Sequence, residues 1–338
     1  MIERVLIVGF GSIGQRHLRI VRESLPLADV RLLRRHSSGD IIGANGSFTS
    51  LGEALDFKPH LAVIANPAPL HVESAIALVR VGCNLLVEKP LSATTEGVTT
   101  LLAEARERGV VLQVGYNLRF QPSLREFRSQ VQSGLVGRIL SVRCETGQHL
   151  DGWRPSTDYR NGVSARHELG GGVLLELSHE IDYLRWIFGE VQWISAWIGK
   201  QSSLEIDVED TVHLLMGMTD NNWTHGSNGP VAALSLDFIR HDSVRRCTAI
   251  GESGSLTWDG NLGLVQLCTA EGSFNTLFQQ RPVRDQTFRD QWGHFLDCVN
   301  GGKTPMVSGE DGLAVLELIQ AARQSFSNEC ARVQILSA

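Results

Sequence analysis

Three clusters in this chain carry residue types whose spacing suits chemistry, and the first is made of glycine. Gly9-Phe10-Gly11-Ser12-Ile13-Gly14 follows the branched apolar run Val5-Leu6-Ile7-Val8 and opens an amphipathic stretch. That context predicts a dinucleotide-binding turn. Gly9 permits the tight turn, Gly11 lets the backbone approach a pyrophosphate, and Gly14 allows close helix–strand packing. The helix that follows offers unpaired N–H groups and a positive dipole end to the phosphates. About 20 residues past the last glycine, an NAD site would place a carboxylate on the adenosine ribose. The chain instead reads Leu33-Arg34-Arg35-His36-Ser37-Ser38 there, with no acid. Guanidinium and hydroxyl groups suit a 2′-phosphate, so Arg34, Arg35 and Ser37 favour NADP(H) over NAD(H). The plainer alternative is a solvated strand end.

The second cluster is Glu88-Lys89-Pro90, directly after the apolar run 84–87. In an open parallel sheet the carboxyl ends of strands face the ligand crevice, so Lys89 is placed to donate a hydrogen bond or move a proton. A snorkelling surface lysine is the competing reading. The third cluster runs Gly170-Gly171-Gly172 and on to Arg185. If 172–188 forms one helix, Glu176, His179 and Asp182 follow at three-residue steps and share a face. A carboxylate beside a histidine fixes its tautomer and raises its basicity, which suits proton exchange with an alcohol. The same spacing equally suits a core histidine satisfied by a carboxylate. No further histidine or cysteine has a spacing that suggests a metal site.

Ahead of that helix lies a segment dense in groups that stack on or hydrogen-bond to sugars and anions: Trp153, Arg154, Tyr159 and Arg160. It is expected to form the lip of a substrate site. Its arginines point to a carboxylate, phosphate or nucleotide on the substrate, or else are plain surface charge.

The elements that must position these groups follow from periodicity. Short branched runs at 5–8, 30–33, 61–65, 84–87 and 110–114 alternate with amphipathic stretches at 12–23, 69–81 and 94–108, the pattern of a doubly wound parallel sheet. Gly82 and Gly109 stand where helix C-terminal caps belong. Past residue 120 the texture changes to a helix at 123–133 and alternating segments at 139–145, 191–198, 211–218, 232–240 and 246–251, which suit a mostly antiparallel sheet. Helices are expected at 172–188, 287–300 and 310–326, and a turn-rich loop at 221–229. The fold class is therefore α/β, an N-terminal Rossmann domain over 1–120 joined to a C-terminal α+β domain over 121–338.

Composition excludes several classes. A net charge of -6 without a long basic run gives no footprint for nucleic acid. No stretch approaches the roughly 18 to 20 apolar residues of a membrane span. The six cysteines form no CxxC pair, which argues for reduced thiols rather than zinc or disulfides. The N-terminal Met1-Ile2-Glu3-Arg4 runs straight into a strand, so a cytoplasmic enzyme without a secretory signal is expected. The partner is expected to be a small molecule.

Taken in order, the chain resembles the glucose-fructose oxidoreductase, inositol dehydrogenase and rhizopine catabolism (Gfo/Idh/MocA) family over essentially its whole length. The resemblance rests on the glycine turn, Asn66-Pro67 with His71, Glu88-Lys89-Pro90, Gly115-Tyr116-Asn117-Leu118-Arg119-Phe120, and the glycine triplet leading to His179 and Asp182. It implies a large open-faced sheet in the second domain that forms a homodimer or homotetramer, a catalytic Lys89 and an acid/base His179. Asp182 then supports or binds substrate. Asn66, Pro67, His71 and Glu88 fall to the cofactor side, Asn117 and Arg119 to the substrate side. Family members carry an aspartate four residues before the histidine, where this chain has Leu175. Glu176, three before it, is the candidate for that part. The implied reaction moves a hydride between nicotinamide and a secondary alcohol or ketone of a sugar, sugar acid, nucleotide sugar or cyclic polyol. Two alternatives stand beside it: a ping-pong enzyme with a tightly held cofactor, and a non-catalytic cofactor sensor.

Overall fold

Runs such as Val5-Leu6-Ile7-Val8 are apolar at every position because both faces of their sheet are covered. In the computed structural model, which describes residues 2–36, 39–153, 158–219 and 229–335, they form a six-stranded sheet. Its strands are β1 (Arg4–Val8), β2 (Asp29–Leu33), β3 (Gly46–Phe48), β4 (Leu61–Ile64), β5 (Asn84–Val87) and β6 (Leu112–Val114). They lie in the order β3-β2-β1-β4-β5-β6, and every pairing is parallel. The chain order reverses between β1 and β4, where such sheets open a crevice at their carboxyl ends. Helices α1 (Ser12–Ser24), α2 (Leu51–Asp56), α3 (His71–Arg80) and α4 (Val98–Arg108) connect the strands. Gly109 closes α4 in the left-handed conformation, as its sequence position predicts.

The chain divides into two compact units, Met1–Asn117 with Arg284–Leu316, and Leu118–Val283 with Glu317–Ala338. A boundary near 120 does not foresee the return of 284–316 to the first unit. There α8 (Gln286–Gly301) buries Trp292 and Phe295 against Val5, Ile7, Val30 and α1. Amphipathic spacing reveals that a helix has an apolar face, but not which sheet that face covers.

The second unit carries a nine-stranded sheet built from β7 (Ile139–Gly147), β8 (Val191–Gly199), β9 (Thr211–Met218), β10 (Val231–Asp237), β11 (Val244–Gly251), β12 (Gly254–Asp259), β13 (Leu264–Thr269), β14 (Phe274–Gln279) and β15 (Val333–Gln334). Only β7 and β10 pair in parallel; the other neighbours are antiparallel. Along β10, Ala232, Leu234 and Leu236 are buried while the alternate positions are not, so one face is covered and the other is open. The helices α5 (Pro122–Gln132), α6 (Val173–Glu176), α7 (His179–Phe188) and the end of α9 (Gly309–Ser327) belong to this unit. The turn-rich loop at 221–229 lies, apart from its last residue, outside the described residues. No helix among the described residues is long and apolar enough to cross a membrane.

Candidate active site

The glycine turn is closed by backbone against backbone. Gly9 has φ +89, and a Cβ there would lie 2.6 Å from Asn66 N; a Cβ on Gly14 would lie 2.2 Å from Gly9 O. Gly11 differs, because a Cβ on it would meet nothing within 4 Å. Above it stands the N-terminus of the 13-residue α1, with no side-chain cap on its amides. That open cradle over uncapped N–H groups fits a pyrophosphate. At the end of β4, Asn66 Oδ1 is buried with no hydrogen-bond partner among the described residues, a polar atom open to a ligand. The positions of Gly9, Phe10, Gly11, Ser12, Ile13 and Gly14 therefore fit a dinucleotide.

Where β2 ends, the Arg34 guanidinium donates to Gly39 O and Ser47 Oγ, both at 3.3 Å. Arg35 is exposed, and Ser37 lies outside the described residues.

Lys89 leaves the carboxyl end of β5, and its backbone N–H donates to the carboxylate of Glu88 at 3.2 Å. The Lys89–Pro90 peptide is cis. Buried His71 lies between two carbonyls, with Nε2 2.7 Å from Asn66 O and Nδ1 3.1 Å from Pro90 O. Burial pushes its imidazole below the ordinary histidine range, against the pull of those carbonyls. A neutral ring donates once, and the shorter contact assigns that bond to Asn66. The ring thus bonds the turn after β4 and sets its other nitrogen against the Pro90 carbonyl of the lysine segment. Asn117 also has a partner within its own unit, Thr287 Oγ1 at 2.8 Å.

The single helix expected at 172–188 is two helices. α6 ends at Glu176, Leu177 leaves helical geometry at φ -100 and ψ 25, and α7 begins at His179. The cause is local competition. Ser178 Oγ donates to Leu175 O at 2.9 Å, the carbonyl that a continuous helix would give to the His179 amide. Glu176, His179 and Asp182 therefore do not share one helical stripe.

Asp182 is 1% exposed and grips Arg119, itself 3% exposed, in a fork of 3.0 Å and 2.7 Å. Next to it, Glu180 accepts from Thr146 at 3.0 Å and from Arg245 at 2.7 Å. Glu209 was not visible as a site residue, yet its carboxylate accepts from the Leu174 amide at 3.1 Å and would touch a Cβ on Gly172 at 2.5 Å. Burial raises the Glu209 carboxyl above its ordinary range. No local pattern marks these partners, which stand 34 to 65 positions apart.

In the segment before the glycine run, Trp153 and Tyr159 line a cavity of about 460 Å3 together with Asn161 and Ser164. Its size is within the ~300–1,000 Å3 range of small-molecule sites. Trp153 Nε1 donates to Gln148 O at 3.0 Å, and the Tyr159 hydroxyl accepts from Glu205 N at 3.3 Å. The segment is fastened to the glycine run by Gly172 N donating to Ser164 O at 3.2 Å and Gly171 N to Arg166 O at 2.9 Å. Arg160 is paired with Asp158 at 2.8 Å and Glu205 at 3.3 Å. Arg154 lies outside the described residues. Among the described residues no group of three or more His, Cys, Asp or Glu side chains could hold a metal ion.

Comparison with known proteins divides the chain once, near residue 120. Residues 3–116 match the model of the oxidoreductase family NAD-binding Rossmann fold, and residues 128–335 that of the oxidoreductase family C-terminal alpha/beta domain, the two halves of GFO_IDH_MocA. The myo-inositol 2-dehydrogenase of Thermotoga maritima is 24% identical over 96% of this chain and 97% of its own length. The scyllo-inositol 2-dehydrogenase (NAD(+)) of Bacillus subtilis is 27% identical over 96% and 94%. Among solved structures, levoglucosan dehydrogenase in complex with NADH superposes with a TM-score of 0.85 at 20% identity, covering 99% of this chain and 100% of that one. At that identity it speaks for the fold. GenD2 from gentamicin A biosynthesis in complex with NAD gives a TM-score of 0.80 at 26% identity over 100% and 98%. The chain belongs to the Gfo/Idh/MocA oxidoreductase family and is a dehydrogenase with an NAD-binding Rossmann fold.

Proposed function

We propose that the protein moves a hydride between a nicotinamide cofactor and a secondary alcohol or ketone carbon of a sugar, sugar acid, nucleotide sugar or cyclic polyol. The observation that carries this reading is the position of Lys89 at the carboxyl end of β5, followed by Pro90, whose carbonyl faces the His71 ring bonded to the turn that also walls Gly9. Bound there, nicotinamide supplies or accepts the hydride. Lys89 hydrogen-bonds the oxygen on the reacting carbon, and His179 exchanges its proton. Arg119 and Asp182 hold the start of the second unit to α7 as a positioning pair. Glu176, at the end of α6, remains the candidate for the acidic partner of His179. The cavity with Trp153 and Tyr159 suits the face of a sugar ring, and Arg154 and Arg160, next to them in sequence, favour an anionic group on it.

Arg34 and Arg35 favour NADP(H), although the scyllo-inositol 2-dehydrogenase is named for NAD(+) and the levoglucosan dehydrogenase and GenD2 structures are complexes with NADH and NAD. The open sheet face, with Leu215 and Val231 exposed, supports association of identical chains in a dimer or tetramer. Lys89→Ala tests the chemistry. Turnover on a screened sugar should fall by about 10²- to 10⁴-fold while dinucleotide affinity persists; unchanged turnover would remove Lys89 from the reaction.

A further inference from the structure

Glu88 is a buried carboxylate immediately before Lys89, and the reaction described above gives it no task. It is 6% exposed, and its Oε1 lies 2.6 Å from Nε2 of His17, a fully buried side chain on α1. Its Oε2 accepts from the Lys89 amide at 3.2 Å. Those two bonds hold the carboxylate, and it lies so close to Gly115 that no side chain fits there. A Cβ on Gly115 would stand 3.0 Å from Oε2, and the backbone is pinned by Glu88 N donating to Ile64 O at 2.9 Å and Gly115 N to Val87 O at 2.7 Å.

The charge of the pair follows from an orphan atom. His17 Nδ1 is buried with no hydrogen-bond partner among the described residues. A protonated imidazole would put a donor there without an acceptor, whereas a neutral ring leaves only a lone pair, the lesser penalty. The geometry therefore assigns the hydrogen to Nε2, donating to an ionised Glu88, and the pair keeps one negative charge. Burial opposes that charge, whereas the hydrogen bond from His17, the positive charge of Lys89 and the Lys89 amide favour it.

We propose that Glu88, positioned by His17, is the fixed counter-charge for the oxidised nicotinamide, so that this site holds the oxidised cofactor in preference to what it would hold without the carboxylate. The inference rests on the reading that the ring binds at the carboxyl end of β5. The oxidised ring is a cation and the reduced ring is neutral, so a rigid charge in a poorly screened site acts on one and not the other. Without Glu88 the cationic ring would face the Lys89 ammonium with no carboxylate beside them. His17 reaches this point from the helix whose N-terminus faces the phosphates, which links the two ends of the cofactor through one hydrogen bond.

The test needs no substrate. Affinities for the oxidised and the reduced cofactor are measured by calorimetry on the full chain, as wild type, Glu88→Gln, His17→Gln and His17→Leu. Glu88→Gln should weaken the oxidised form by roughly five- to tenfold and the reduced form by less than about twofold. His17→Gln, which can still donate, should keep the wild-type ratio. His17→Leu should shift the ratio in the same direction as Glu88→Gln, and it serves as the decisive variant if Glu88→Gln does not fold. Equal losses for both forms, or an unchanged ratio, overturn the proposal. A wild type that binds neither form overturns the dinucleotide reading and this inference together; binding of both with an unchanged ratio overturns this inference alone.

Discussion

Two glycine runs lead into helices here, and they are built differently. At Gly9–Gly14 the close approaches are to backbone atoms, Asn66 N and Gly9 O, and the central glycine opens on empty space. At Gly170-Gly171-Gly172 part of the closure is made by a side chain, the Glu209 carboxylate against Gly172. The helix beyond then breaks at Ser178 and is held by ion pairs, Arg119 with Asp182 and Arg245 with Glu180. The glycine signal of a backbone cradle lies in a few adjacent residues, although one of its walls, at Asn66, comes from the turn after β4. A side-chain platform under the helix that begins at His179 depends on partners distant in sequence.

The sharpest way to break this comparison is to add one carbon to each side of the first turn. Gly14→Ala should lower cofactor affinity by more than about 100-fold or prevent the first unit from folding, because its Cβ has only 2.2 Å to the Gly9 carbonyl. Gly11→Ala should fold normally and weaken binding less, since its Cβ enters open space. Calorimetry with circular dichroism separates the two; equal behaviour would contradict the backbone account.

In the second unit the larger effect should come from a charge left alone. Asp182→Ala strands the Arg119 guanidinium among buried groups and should cost about 3–5 kcal/mol in urea unfolding. The paired change Arg119→Met with Asp182→Leu should recover much of that loss. No recovery would mean that the pair has a role beyond mutual neutralisation. The smallest effect belongs to the rim of the first unit. Arg34→Ala should weaken NADP(H) by roughly tenfold and leave NAD(H) nearly unchanged, the worth of one charge-assisted hydrogen bond. A chain that prefers NAD and is indifferent to this change would remove the 2′-phosphate assignment.

The same contrast explains what could be read from the residues alone. Period, branched runs and glycines placed β1, β2, β4, β5 and the phosphate turn, because each signal is contained in one short segment. The return of α8 to the first unit and the division of α6 from α7 were not legible. The first depends on which sheet Trp292 finds, the second on one hydroxyl, Ser178, competing for a backbone carbonyl. The part of His17 is illegible in sequence for a similar reason. A histidine on an amphipathic helix carries no mark of a carboxylate 71 positions away.

The central claim of the proposed function is that Lys89 and His179 both act in the hydride-transfer reaction. Stopped-flow measurement of nicotinamide absorbance, with Lys89→Ala, His179→Ala and the double variant, tests it most directly. Groups acting as a unit lose function together, so the double variant should be slower than the worse single variant by less than about tenfold. Multiplying losses, each variant slowing hydride transfer independently of the other, would contradict the account.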